Sequence, residues 1–178
     1  VLCFIATNGS GREKMDCSVK DGVAFMWIPG NADDWIKSNI SETGDIVRKD
    51  YSQYVVILRD PLTRWIDNVV KYTNGDAELE QQVLDDYANT LVYDDNTSLQ
   101  NTWIVNLLRK TRANIEFCYY DNLAALNTKY NIAESLPLYT SYSITTLGNE
   151  LENLSMLPRI IKSTYNDDYK LIKDKLGF

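Results

Sequence analysis

Tyr54-Val55-Val56-Ile57-Leu58 is apolar at every position, and three of its five residues are β-branched. A strand with one wet face alternates polar and apolar residues. A strand without that alternation has to be covered on both faces, as in a parallel sheet packed between helices. This run therefore predicts a layered α/β arrangement rather than a bundle or an open antiparallel sheet. Leu2–Thr7 and Val23–Ile28 read as two further strands, separated by the turn-forming stretch Asn8-Gly9-Ser10-Gly11-Arg12. Ile115–Tyr120 is a fourth candidate. Between the strands the apolar period becomes helical. Leu62–Tyr72 gathers Trp65, Ile66, Val69 and Val70 behind Pro61, a residue suited to a first turn. Ala77–Leu91 repeats the pattern, and Ser98–Arg112 ends in cations, favourable at a helix C-terminus. Asn122 is placed to cap Leu123–Tyr130. The last forty residues read as short helices, one starting at Pro158 and the last closing at Gly177. The expectation is an α/β domain with a short, mainly parallel sheet flanked by helices. Its length of 178 residues suits one domain, 1–178, with 1–22 as an N-terminal strand and hairpin region.

The composition removes whole classes of chemistry. The chain has no His, which excludes Ser-His-Asp and Cys-His nucleophiles and every His-containing metal site. Eighteen Lys and Arg stand against 25 Asp and Glu, a net charge of −7. Such a balance argues against nucleic acid or an anionic membrane as partner. The longest apolar stretches, such as Val23–Pro29, fall far short of the ~20 residues of a membrane helix. Cys3, Cys17 and Cys118 are widely spaced and odd in number, the pattern of reduced, buried thiols, with a Cys3–Cys17 bridge across the N-terminal hairpin as the lesser reading. Nothing at the start reads as a secretory signal, so the expected setting is the cytoplasm or a virion-like assembly. Four N-x-[ST] sequons occur at about the frequency chance allows. Asp85-Asp86, Asp94-Asp95 and Asp167-Asp168 read as solvated helix ends, and no metal site is expected. Asn8–Lys14 lacks the spacing of a phosphate-binding glycine loop.

Two strand ends carry further signal, because ligands of parallel α/β sheets bind beyond the carboxyl ends of the strands. The stretches Ile28-Pro29-Gly30-Asn31-Ala32-Asp33-Asp34-Trp35 and Leu58-Arg59-Asp60-Pro61-Leu62-Thr63-Arg64-Trp65-Ile66-Asp67 resemble the two nucleotide-binding motifs of the sulfotransferase family, especially its carbohydrate and phage-type branch. In that family a strand ending I-P-K-x-A-x-T-S holds the 5′-phosphosulfate of 3′-phosphoadenosine 5′-phosphosulfate (PAPS). A strand ending R-D-P-x-x-R-x-x-S holds its 3′-phosphate. Asp95–Gln100 is similar to the family's D-x-H…Q stretch, Phe117–Leu123 to its strand ending in F/Y-E-N-L, and Tyr165–Phe178 to its Y-x-x-D-Y-x-L…L-G-F ending. The resemblance spans residues 23–178 in the family's order and implies a three-layer, P-loop-like sulfotransferase fold.

The same alignment implies damage to the cofactor site. The family's phosphate-binding Lys falls at Gly30, its two small polar residues at Asp34 and Trp35, its 3′-phosphate Ser at Asp67, and its motif His near Thr97. Asp33 adds a second carboxylate, and Lys37, one turn into the helix, is expected to point away from the loop. What the resemblance leaves for cofactor binding is Arg59, Arg64 and the backbone of Gly30, Asn31, Ala32, Asp33 and Asp34. Unit charges ~4 Å apart interact by about 4 kcal/mol at an effective dielectric near 20, so losing a Lys and gaining carboxylates outweighs anything a helix dipole returns. A purely structural account of these residues gives Gly30 a positive-φ turn, Asp33 or Asp34 an N-cap, Trp35 and Ile36 core positions, Arg59 and Asp60 an ion pair, and Trp65 an inward face. The expected function is a degenerate sulfotransferase-like domain without catalytic residues or cofactor, serving a structural or protein-interaction role with other protein chains. A phage or microbial assembly is its expected setting. The alternative is an active PAPS-dependent sulfotransferase moving a sulfuryl group to a hydroxyl or amine. A third reading places a less anionic or metal-bridged ligand on Asp33 and Asp34.

Overall fold

The computed structural model describes residues 15–74, 99–133 and 157–178, with 76, 78, 79 and 82 between them. In chain order the strands are β1 (Asp16–Lys20), β2 (Val23–Met26), β3 (Thr43–Asp45), β4 (Gln53–Leu58) and β5 (Asn114–Tyr119). The helices are α1 (Asp33–Asn39), α2 (Pro61–Thr73), α3 (Gln100–Lys110), α4 (Leu123–Tyr130), α5 (Leu157–Thr164) and α6 (Asn166–Leu176). A 3-10 turn, Tyr120–Asn122, joins β5 to α4.

The sheet order is β3-β1-β2-β4-β5. β4 sits between β2 and β5, parallel to both, and Tyr54 to Leu58 are each at most 1% exposed. The two-sided apolar run thus has the environment its composition demands. Tyr54, Val56 and Leu58 face one layer with Cys17, Val19, Met26, Ile104, Leu107 and Ile172. Val55 and Ile57 face the other with Phe25, Trp35, Ile36, Leu123 and Leu126. Helices α3 and α6 therefore cover one face, and α1 and α4 the other. A third cluster joins Trp65, Ile66, Val69 and Val70 of α2 to Leu157 and Ile161 of α5 and to Tyr165.

The α/β class is as expected, but the sheet is mixed rather than mainly parallel. β1 runs antiparallel to both β2 and β3. The hairpin that enters the sheet turns at Asp21-Gly22, both at positive φ (51° and 80°), the geometry a two-residue turn needs to match strand twist. Leu2–Thr7, the Asn8–Arg12 turn and Cys3 lie outside the described residues, as does nearly all of Ala77–Leu91. β3 has three residues, and Gly44 admits no side chain, because a Cβ there would collide with the Tyr51 hydroxyl. Pro61 opens α2, whose N-cap Asp60 accepts a hydrogen bond from Thr63 N at 2.9 Å. Gly177 closes α6 at φ 78°. Cys17 and Cys118 are free and buried, and burial pushes both thiols up to about 11.

Candidate functional site

Because β2, β4 and β5 are parallel, the segments that follow them leave the sheet at one end. After β2 the chain turns at Gly30 (φ 79°), and the Asn31 N–H donates to Ile28 O at 2.9 Å. Ala32, left-handed at φ 63°, is the N-cap of α1 and makes no side-chain cap. Neither Asp33 nor Asp34 caps that helix, contrary to expectation. Asp33 folds back: its Oδ1 accepts the Gly30 N–H at 3.0 Å and its Oδ2 accepts from Lys37 Nζ at 2.8 Å. Lys37 therefore leans toward the loop, not away from it, and also lies 4.8 Å over the Trp27 ring. Asp34 is a surface residue with a side chain 78% exposed, 3.3 Å from Lys71 Nζ. The two carboxylates diverge, so they do not form a shared cation site. Trp35 and Ile36 are buried, as expected.

After β4, Arg59 turns inward. Its Nη1 donates to Gly30 O at 3.1 Å, its Nη2 donates to the Asp67 carboxylate, and its guanidinium stacks 4.1 Å from the Tyr120 ring centre. The anticipated Arg59–Asp60 pair is replaced by this Arg59–Asp67 pair, because Asp60 is engaged as the α2 cap. Arg64 is 1% exposed and reaches the same loop, its Nε and Nη2 donating to Pro29 O at 3.0 and 2.6 Å. Burial lowers the Arg64 pKa to about 10, against the opposing pull of Asp168 and Tyr165, so the side chain stays cationic at neutral pH. Burial also raises the Asp67 carboxyl above its ordinary range, with Arg59 pulling the other way.

A buried polar network ties these loops together. Asn31, 1% exposed, donates from Nδ2 to Ile57 O (2.8 Å) and to Gln100 Oε1 (2.5 Å). Gln100, fully buried, accepts from Arg59 N at 2.9 Å and donates to Arg59 O at 2.7 Å. Asp168 accepts from Gln100 N (2.9 Å) and Asn101 N (2.7 Å), so a carboxylate on α6 caps the first turn of α3. The reading of Asp167-Asp168 as a solvated pair is half corrected: Asp167 is exposed, while Asp168 is wholly buried. Burial raises the Asp168 carboxyl, opposed by the N–H groups of Asn101 and Gln100.

The structure brings Gly30, Asn31, Asp33, Arg59, Arg64 and Asp67 together and leaves Asp34 outside. Ala32 contributes only its backbone turn. The sequence carried no local signal for the buried roles of Gln100 and Asp168, since the helices that hold them, α3 and α6, are rich in polar and charged residues. Among the described residues three buried side-chain atoms keep no partner, Asn31 Oδ1 and Arg59 Nε in this cluster and Asn127 Oδ1 on α4. Among the described residues, no group of three or more Cys, Asp or Glu is placed to hold a metal ion. No described helix is long and apolar enough to cross a membrane. Chemically the arrangement is a closed one, with each cation and each inward carboxylate already engaged within the chain. In comparisons with known proteins, no family model, no curated protein and no solved structure matches this chain.

Proposed function

We propose that this chain is a degenerate sulfotransferase-like domain, built on the three-layer P-loop-like scaffold of that family, that works as a structural or interaction component rather than a catalyst. A phage or microbial assembly, with other protein chains as partners, is the setting we assign to it. One observation supports the reading: carboxylates of the chain itself engage groups at both positions that the resemblance assigns to anion binding. Asp33 takes the Gly30 N–H that a 5′-phosphate would need, and Asp67 takes the Arg59 guanidinium that a 3′-phosphate would need. An incoming polyanion would have to displace two like charges before forming a single contact. At ~4 Å and an effective dielectric near 20, each such repulsion costs about 4 kcal/mol.

Calorimetry with the product nucleotide, adenosine 3′,5′-bisphosphate, tests this. In an Arg159→Gln/Lys162→Gln background, which removes two exposed cations remote from the strand ends, no binding is expected at millimolar nucleotide, and adding Asp33→Ser with Asp67→Ser is expected to give measurable affinity. Gly30 is left unchanged in that variant. Its φ of 79° strains any other residue, and a Cβ would sit 3.1 Å from Arg64 Nε. Binding and sulfation by the native chain would instead support the active enzyme.

A further inference from the structure

Helices α5 and α6 are separated by Tyr165 alone, whose backbone (φ −103°, ψ 26°) bends the chain while its ring is buried with α2. Leu157, Ile161 and Tyr165 take the inner side of this elbow. The outer side carries Arg159, Lys162, Ser163 and Asn166, which share one face by their i, i+3, i+4, i+7 spacing. These four residues line an open depression of about 450 Å³.

Its chemistry is one-sided. All four side chains can donate hydrogen bonds, two are cations, and no carboxylate is among them. Neither Arg159 nor Lys162 is paired with a described acid, and the neighbouring Asp167 is drawn away toward Lys170 at 3.8 Å. Like charges at i, i+3 oppose helix formation, and here they stand together on a chain of net charge −7. Residues 157–178 hold five Lys and Arg against three Asp, so the basic charge is local to this corner. The lining offers no apolar side chain to anchor a peptide.

We infer that the α5–α6 elbow is a binding site for a tetrahedral oxyanion, phosphate or a phosphate monoester, held by Arg159, Lys162, Ser163 and Asn166. The guanidinium and ammonium supply charge-assisted bonds, and the hydroxyl and amide complete the oxygen shell. The site shares no residue with the strand-end cluster and does not depend on the function assigned to it.

The test is amide NMR of the full chain, titrated with sodium phosphate and, separately, with sodium chloride at matched ionic strength. Phosphate is expected to move the Ser163 and Asn166 signals saturably, with a dissociation constant on the order of millimolar for so exposed a site. In Arg159→Gln/Lys162→Gln the affinity should fall roughly 5- to 30-fold. A parallel arm with glycerol 3-phosphate separates the two sources, a tighter response assigning the monoester and an equal one free phosphate. Equal responses to phosphate and chloride in the native chain would overturn the site. So would an unchanged titration of the double variant, or shifts confined to Arg59 and Tyr120, which would place the anion at the strand ends instead.

Discussion

Asp67 decides how the strand-end cluster behaves. Its carboxylate gives the Arg59 guanidinium a counter-charge in a place where solvent gives little, since the two side chains are 19% and 10% exposed. Removing one partner of such a pair leaves an uncompensated charge, so Asp67→Ser should destabilise the fold by about 3 kcal/mol in chemical denaturation. Added sulfate should recover more stability in that variant than in the native chain, because the anion can take the vacated position. Equal recovery in both would mean that Arg59 has no capacity for an external anion. The thiols supply a second residue-scale expectation. Cys17 and Cys118 are buried and raised to about 11, so in a Cys3→Ser protein neither should react with an aromatic disulfide reagent at pH 7 until the chain unfolds. At this scale the sequence was legible for residue type and not for partner. Asp67 could be read as the wrong residue in a motif, but its pairing with Arg59 depends on how α2 leaves β4. Asp168 looked solvated because nothing local reveals that α6 brings it under the first turn of α3.

Among the elements, those with a strong local pattern were found and those that depend on their neighbours were not. β4 was readable from its lack of alternation, and α2 from Pro61 and its single apolar face. β1 was passed over because Asp16, Ser18 and Lys20 dilute it, although Cys17 and Val19 alternate toward the core. β3 is too short to carry a period at all. The Asp21-Gly22 turn was the missed cue for the hairpin. The junction of β5 and α4 yields a pH prediction. Glu116 accepts from Lys129 Nζ at 2.7 Å, from Gln53 Nε2 at 3.0 Å and from the Tyr130 hydroxyl. Burial raises its carboxyl, but these donors outweigh burial and hold it below its ordinary value of 4.5. A lowered folded-state value means that Glu116 adds stability above pH 4.5, a contribution lost as the pH falls through the folded value. Glu116→Gln should therefore melt below the native chain at pH 7, and the gap should close toward pH 3. A gap that stays constant with pH would show that the charge on Glu116 does not support the β5–α4 junction.

For the molecule as a whole, the layered α/β architecture followed from the order of apolar patterns, while the mixed sheet did not, because antiparallel pairing at its edge is set by short strands and turns. The distribution of charge has the same character. The net value of −7 was visible in the composition, but gathering Arg159 and Lys162 on one face of the α5–α6 elbow required the fold. At the strand ends the chain's own Asp33 and Asp67 engage the Gly30 N–H and the Arg59 guanidinium, and the proposal of a degenerate site rests on that pairing. Thermal unfolding with millimolar adenosine 3′,5′-bisphosphate tests this most directly, in the Arg159→Gln/Lys162→Gln background so that the elbow does not contribute. The melting temperature should stay where it is without nucleotide. A rise of roughly 5–10 °C, the effect of a ligand present at about a hundred times its dissociation constant, would contradict the account.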